Sequence, residues 1–127
     1  MNMIPTTKIS QTILEFGKSL INQLPENYTA EEFEAAIAIV ILTWNAVVMD
    51  GWKKESNFEA EILAKISEEP KEYQLVIKRM IKRKKKKFGK DPRAVGKHWI
   101  REEGGEFIFG CDARLDIENV EISGSSH

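Results

Sequence analysis

Thr29–Gly51 reads TAEEFEAAIAIVILTWNAVVMDG, and the fold turns on how this stretch is taken. Thr29 followed three residues later by Glu32 is the pattern of a capping box, in which hydroxyl and carboxylate each satisfy the other residue's backbone N–H. Such a cap is worth about 1 kcal/mol and fixes a helix start. From Phe33 to Met49 apolar residues occupy nearly every side of the helix, so other elements must surround it. The densest apolar run, Ala35 to Met49, falls short of the roughly 20 residues that a membrane span needs. A buried core helix over about 29–49 is therefore expected, with Gly51 as its stop. Asn45 inside that run must find hydrogen-bond partners or cost on the order of 1–3 kcal/mol. The expectation is that it pins the helix to a neighbouring loop or backbone; the alternative is a polar group lining a pocket.

The flanks supply what packs around this helix. Ile9, Ile13, Phe16, Leu20 and Leu24 recur at three- and four-residue steps, which predicts a helix from about Thr7 to Gln23, ended by Pro25 and Asn27. Ser56 with Glu59 repeats the capping device ahead of Phe58, Ile62 and Ile66, and Pro70 breaks the helix they define. A fourth helix runs from Pro70 to about Phe88, with Gly89 as its cap. The period then changes to two. Val95–Glu102 and Glu106–Asp116 alternate around a Glu103-Gly104-Gly105 turn signal, with Phe107, Phe109, Cys111, Ala113 and Leu115 facing the helices. Ile117, Val120 and Ile122 extend the second strand or trail from it. The fold expected is α+β: four helices followed by a C-terminal antiparallel β-hairpin, in one domain over 1–122, with 123–127 a linker or tag remnant.

Composition narrows the function classes. A chain of 127 residues, 42% hydrophobic and 31% charged, suits one soluble globular domain. One cysteine, Cys111, gives neither a disulfide framework nor a zinc cluster and fits a reducing compartment. The opening MNMIPTTKIS lacks a charged segment followed by an apolar one, so no signal peptide is expected. The expectations are a cytoplasmic location and no membrane partner, metal or other cofactor. Catalysis has little to stand on. His98 and Cys111, on opposite strands, could meet as base and nucleophile. Cys111 nevertheless shares its face with Phe107, Phe109 and Leu115, the setting of a small buried hydrophobe. There is no glycine-rich phosphate loop and no metal-ligand spacing.

Charge is the strongest functional signal. The stretch KRMIKRKKKKFGK, Lys78 to Lys90, holds nine of the 19 basic residues. Residues 1–77 have a net charge of −6, residues 78–101 of +11, and residues 102–127 of −6. On a helical projection Tyr73, Val76, Ile77, Met80, Ile81 and Phe88 form one side, with Lys78, Arg79, Lys82 and Lys86 opposite. Lys84 falls inside the apolar stripe, so it must snorkel from the core edge or point into a groove. Like charges four apart cost about 0.2–0.5 kcal/mol each, and cations near the helix end recover about 0.3–1 kcal/mol each, so the run needs no partner to be stable. Its continuation suggests one. With Lys90, Arg93, Lys97 and Arg101 the basic character extends into the turn and first strand and makes a surface. The expected polyanion-binding set is Lys78, Arg79, Lys82, Arg83, Lys86, Lys90, Arg93, Lys97 and Arg101, with Trp52 and Trp99 as contact aromatics and nucleic acid as the favoured partner. The alternative is a protein-interaction module of antitoxin, immunity or inhibitor type, engaging an acidic protein surface or forming a homodimer.

The segments TWNAVVMDGW and RMIKRKKKKFGKDPRAVGKHWI together resemble small bacterial proteins. In these a Trp-Asn-Ala-Val-Val helix precedes a Lys/Arg-rich segment that ends in Phe and an Asp-x-Arg element. The matching positions here are Trp44 to Val48, Phe88, Asp91 and Arg93, and the likeness covers about half the chain. It implies a bacterial, cytoplasmic protein and carries no activity with it.

Overall fold

The computed structural model describes residues 8–52, 57–89 and 91–115. Five helices, α1 (Ile9–Phe16), α2 (Lys18–Ile21), α3 (Ala30–Trp52), α4 (Phe58–Lys65) and α5 (Lys71–Lys87), precede strands β1 (Ala94–Glu103) and β2 (Glu106–Arg114). The class is α+β, as the change of period implies, but the described residues form five helices and not four. The extra one arises at Gly17, where the expected first helix breaks. A side chain there would place its Cβ 2.6 Å from both Val40 methyls. The bare glycine therefore lets the α1–α2 junction sit directly on α3.

The helix start read from the sequence is present in detail. Thr29 N donates to Glu32 Oε1 at 2.9 Å and Glu32 N to Thr29 Oγ1 at 3.1 Å, the reciprocal pair of a capping box. The helix end differs. α3 runs through Gly51 to Trp52, so Gly51 is not the stop. At 23 residues α3 is long and apolar enough to cross a bilayer by composition, so the shortness of its apolar run does not decide the matter. In this fold α3 is the central element. Phe33, Ile37, Val40, Ile41, Trp44, Val48 and Met49 are all buried, and α1, α2, α4, α5 and β1 pack around it.

Asp50, in the last turn of α3, caps the start of α4. Its two carboxylate oxygens accept the backbone N–H groups of Phe58 at 2.8 Å and Glu59 at 3.0 Å, a cap supplied from another helix where negative charge suits the helix dipole. Asn57 stands at the cap position and makes no side-chain cap bond; Ser56, the expected cap, lies outside the described residues.

The hairpin closes through Gly104 and Gly105, with φ of 58° and 83°, the positive values that a two-residue turn between twisted strands requires. Glu103 faces Glu106, Trp99 faces Gly110 and His98 faces Cys111, and a bulge separates Val95 from His98. Phe107 packs against both Tyr28 and Phe33, with ring centroids 5.6–5.7 Å apart, anchoring the turn end to the start of α3. Phe109 is buried and Cys111 half-buried on the same face. Ala113 and Leu115, expected inward with them, are exposed. Ile117, Val120 and Ile122 lie outside the described residues.

Candidate polyanion-binding surface

The basic helix is held in place by its apolar side. Val76, Ile77, Met80 and Ile81 are buried, leaving the opposite side to the lysines. The C-terminal end of α5 is fixed by aromatic rings. Phe88 meets Phe16 at 6.1 Å and Trp44 at 5.7 Å, and Phe16 meets Trp44 at 5.1 Å, all edge-to-face.

Around these rings lies a buried polar junction. Lys84 is 2% exposed, so its ammonium does not snorkel out to solvent. Its Nζ donates to Phe88 O at 2.6 Å and Asp91 O at 3.0 Å and lies 4.2 Å from the centre of the Trp44 ring. Burial pulls its pKa down to about 8, and the charge of Asp91 opposes that shift. The Asp91 carboxylate accepts from Arg93 Nε at 2.9 Å, Arg93 Nη2 at 2.7 Å and the Arg93 backbone N–H at 3.1 Å. The side-chain hydrogen bonding that Arg93 donates to Asp91 raises the Arg93 pKa. Trp44 Nε1 donates to Arg93 O at 2.6 Å, and Asn45 bonds both the N–H and the C=O of Val95. The polar residues of the α5–β1 turn are thus committed to one another and to α3.

This arrangement removes Arg93 from the expected binding set. At 7% exposure, with its guanidinium on Asp91, it faces the interior and not a ligand. Lys90 lies outside the described residues. Among the others, Arg83 pairs with Glu15 at 3.2 Å, as does the neighbouring Lys87 at 3.6 Å, and Lys85 pairs with Glu59 at 2.8 Å. Lys78, Arg79, Lys82 and Lys86 are exposed and have no ion pair among the described residues. They form a continuous strip, with Lys78, Lys82 and Lys86 one above another at rises of about 6 Å. Lys82, Arg83, Lys86 and Lys87 together line a shallow depression.

Lys97 and Arg101 are exposed on the hairpin, where Arg101 pairs with Glu103 at 3.1 Å. The hairpin packs chiefly on α1 and α3. The expected basic residues thus differ in setting, those of α5 standing on a cationic helix face and those of the hairpin among acids of both strands. Trp99 is 50% exposed on the hairpin. Trp52 is half-buried and lines a cleft of about 490 Å³ with Asp50, Glu59, Lys84 and Lys85.

His98 and Cys111 do meet across the ladder, but burial pushes the thiol up to about 12, the wrong direction for a nucleophile. His98 Nε2 lies 3.0 Å from Glu34 Oε1. Among the described residues no group of three His, Cys, Asp or Glu could hold a metal. The acids that pair the cations, Glu15 and Glu59, stand 68 and 26 positions from their partners, and no local sequence signal marks them. Comparison with known protein families, characterised proteins and solved structures gave no match.

Proposed function

We propose that this chain is a non-enzymatic, cytoplasmic binding protein whose α5 face engages a polyanion, with nucleic acid as the partner. One observation carries the reading: Lys78, Arg79, Lys82 and Lys86 stand exposed on one rigid helix with no ion pair among the described residues. Such a strip neutralises phosphates and releases their counterions, which gives affinity without base readout. Arg83 and Lys87 can contribute by exchanging Glu15 for phosphate, since exposed ion pairs are worth only about 0–1 kcal/mol. Lys84 of α5 and the turn residues Asp91 and Arg93 support the strip by fixing the end of α5 and make no contact with the ligand.

The test is fluorescence anisotropy with labelled 20-nucleotide single- and double-stranded probes of mixed sequence. The expected result is salt-dependent binding that is indifferent to sequence and is abolished by Lys82→Glu/Lys86→Glu. Binding that survives the double reversal would exclude the α5 face.

A further inference from the structure

We propose that the outer face of the β-hairpin is a contact between two copies of this chain. This goes beyond the polyanion reading and stands on different residues. Four large hydrophobic side chains are exposed among the described residues: Leu75, Trp99, Ile108 and Leu115. Two of them, Trp99 and Ile108, share the hairpin face that turns away from the helices. Trp99 lies across its cross-strand partner Gly110, where an added Cβ would fall within 2.3 Å of the indole nitrogen. The glycine thus holds the indole flat on the sheet, with Ile108 one cross-strand step away, opposite Arg101.

The charges around this apolar centre argue for the occupant. Lys97, Arg101 and Arg114 are balanced by Glu103, Glu106 and Asp112, so the face has no net charge to offer a polyanion. Its two ends differ in sign. Lys97 and the Asp112–Arg114 ion pair (3.3 Å) lie at the open end, and Glu103 and Glu106 lie at the turn. A face that is apolar at its centre and of opposite sign at its ends is complementary to itself when a two-fold axis runs across the strands. Stacked in that way, Lys97 meets Glu103 of the second copy, Arg101 covers the second copy's Trp99, Ile108 fits over its Gly110, and Glu106 meets its Asp112–Arg114 pair, where the like charge of Asp112 is offset by Arg114. Arg101 gives up only its exposed pair with Glu103. Ten residues of β1 and nine of β2 span about 30 Å by 10 Å, or about 300 Å² per copy. That is well below the roughly 800 Å² per partner of a stable complex, so the dimer is weak and transient.

Sedimentation equilibrium of the full chain from 1 µM to 1 mM tests this, with urea unfolding of each variant to confirm the fold. The expected result is a monomer–dimer equilibrium weakened about tenfold by Lys97→Glu or by Glu103→Lys, each of which sets like charges against one another at both symmetric contacts. The double variant Lys97→Glu/Glu103→Lys recovers wild-type association, which only a direct contact explains. A monomer at 1 mM overturns the proposal. So does association that the double swap fails to restore, or that Lys82→Glu/Lys86→Glu abolishes. A Trp99 indole NMR resonance that shifts on adding a single-stranded oligonucleotide but not with protein concentration assigns the face to nucleic acid instead.

Discussion

Asn45 of α3 and Val95 of β1, fifty positions apart, are joined by two hydrogen bonds: Asn45 Nδ2 donates to Val95 O at 3.0 Å, and Val95 N donates to Asn45 Oδ1 at 2.7 Å. The side-chain amide thereby occupies the place of a neighbouring strand and satisfies both backbone groups of a buried residue. Asn45→Ala leaves Val95 N–H and C=O unpaired and is expected to cost about 2–4 kcal/mol in urea unfolding. Thr43→Val, equally buried but bonded only to Ile39 O of its own helix, is expected to cost less than about 1 kcal/mol.

Asp91 and Arg93 form a buried pair, and breaking it strands a charge. Asp91→Ala is expected to destabilise by about 3–5 kcal/mol. Lys85→Ala, which breaks an exposed pair with Glu59, should change the unfolding free energy by less than about 1 kcal/mol. Equal effects would contradict the buried junction.

Lys84 gives a pH signature. Its folded pKa of about 8 lies below the ordinary 10.5, so the unfolded chain binds its proton more tightly than the folded one. Stability should therefore rise as pH increases between about 8 and 10.5, and be lowest, for this group, below pH 8. Other lysines and the tyrosines titrate nearby, so the quantity to measure is wild type minus Lys84→Met in urea at pH 7, 9 and 10. That difference should grow with pH.

Gly17→Ala would drive a methyl into Val40. The expected cost is about 1–3 kcal/mol from overpacking, in contrast to the gain that alanine normally brings within a helix. Thermal unfolding of the variant checks the sign.

These residues also mark what could be read in advance. Thr29 with Glu32, the Gly104-Gly105 turn and the placing of Lys84 within the apolar stripe were legible, because each depends on residues within a few positions of one another. The break at Gly17 was not, since the apolar stripe runs on through Phe16 and Leu20 and only Val40 reveals the close approach. Gly51 resembled a stop, yet nothing there requires a left-handed residue, and α3 continues to Trp52. Arg93 counted as a surface cation because sequence shows the sign of Asp91 beside it but not that both are buried. The α5 strip was visible as charge. Which of its members remain unpaired depends on Glu15 and Glu59, placed there by the packing of α1 and α4.

The most direct test of the central claim is the salt dependence of nucleic-acid binding by the wild-type chain and by Lys82→Glu/Lys86→Glu. If Lys78, Arg79, Lys82 and Lys86 each neutralise one phosphate, log Kobs on duplex DNA falls against log salt with a slope of about −3.6, a loss of roughly 150-fold between 50 and 200 mM. The double variant should show no measurable binding. A slope near zero, or no binding by the wild type at about 50 mM salt, would contradict the α5 surface as a polyanion site.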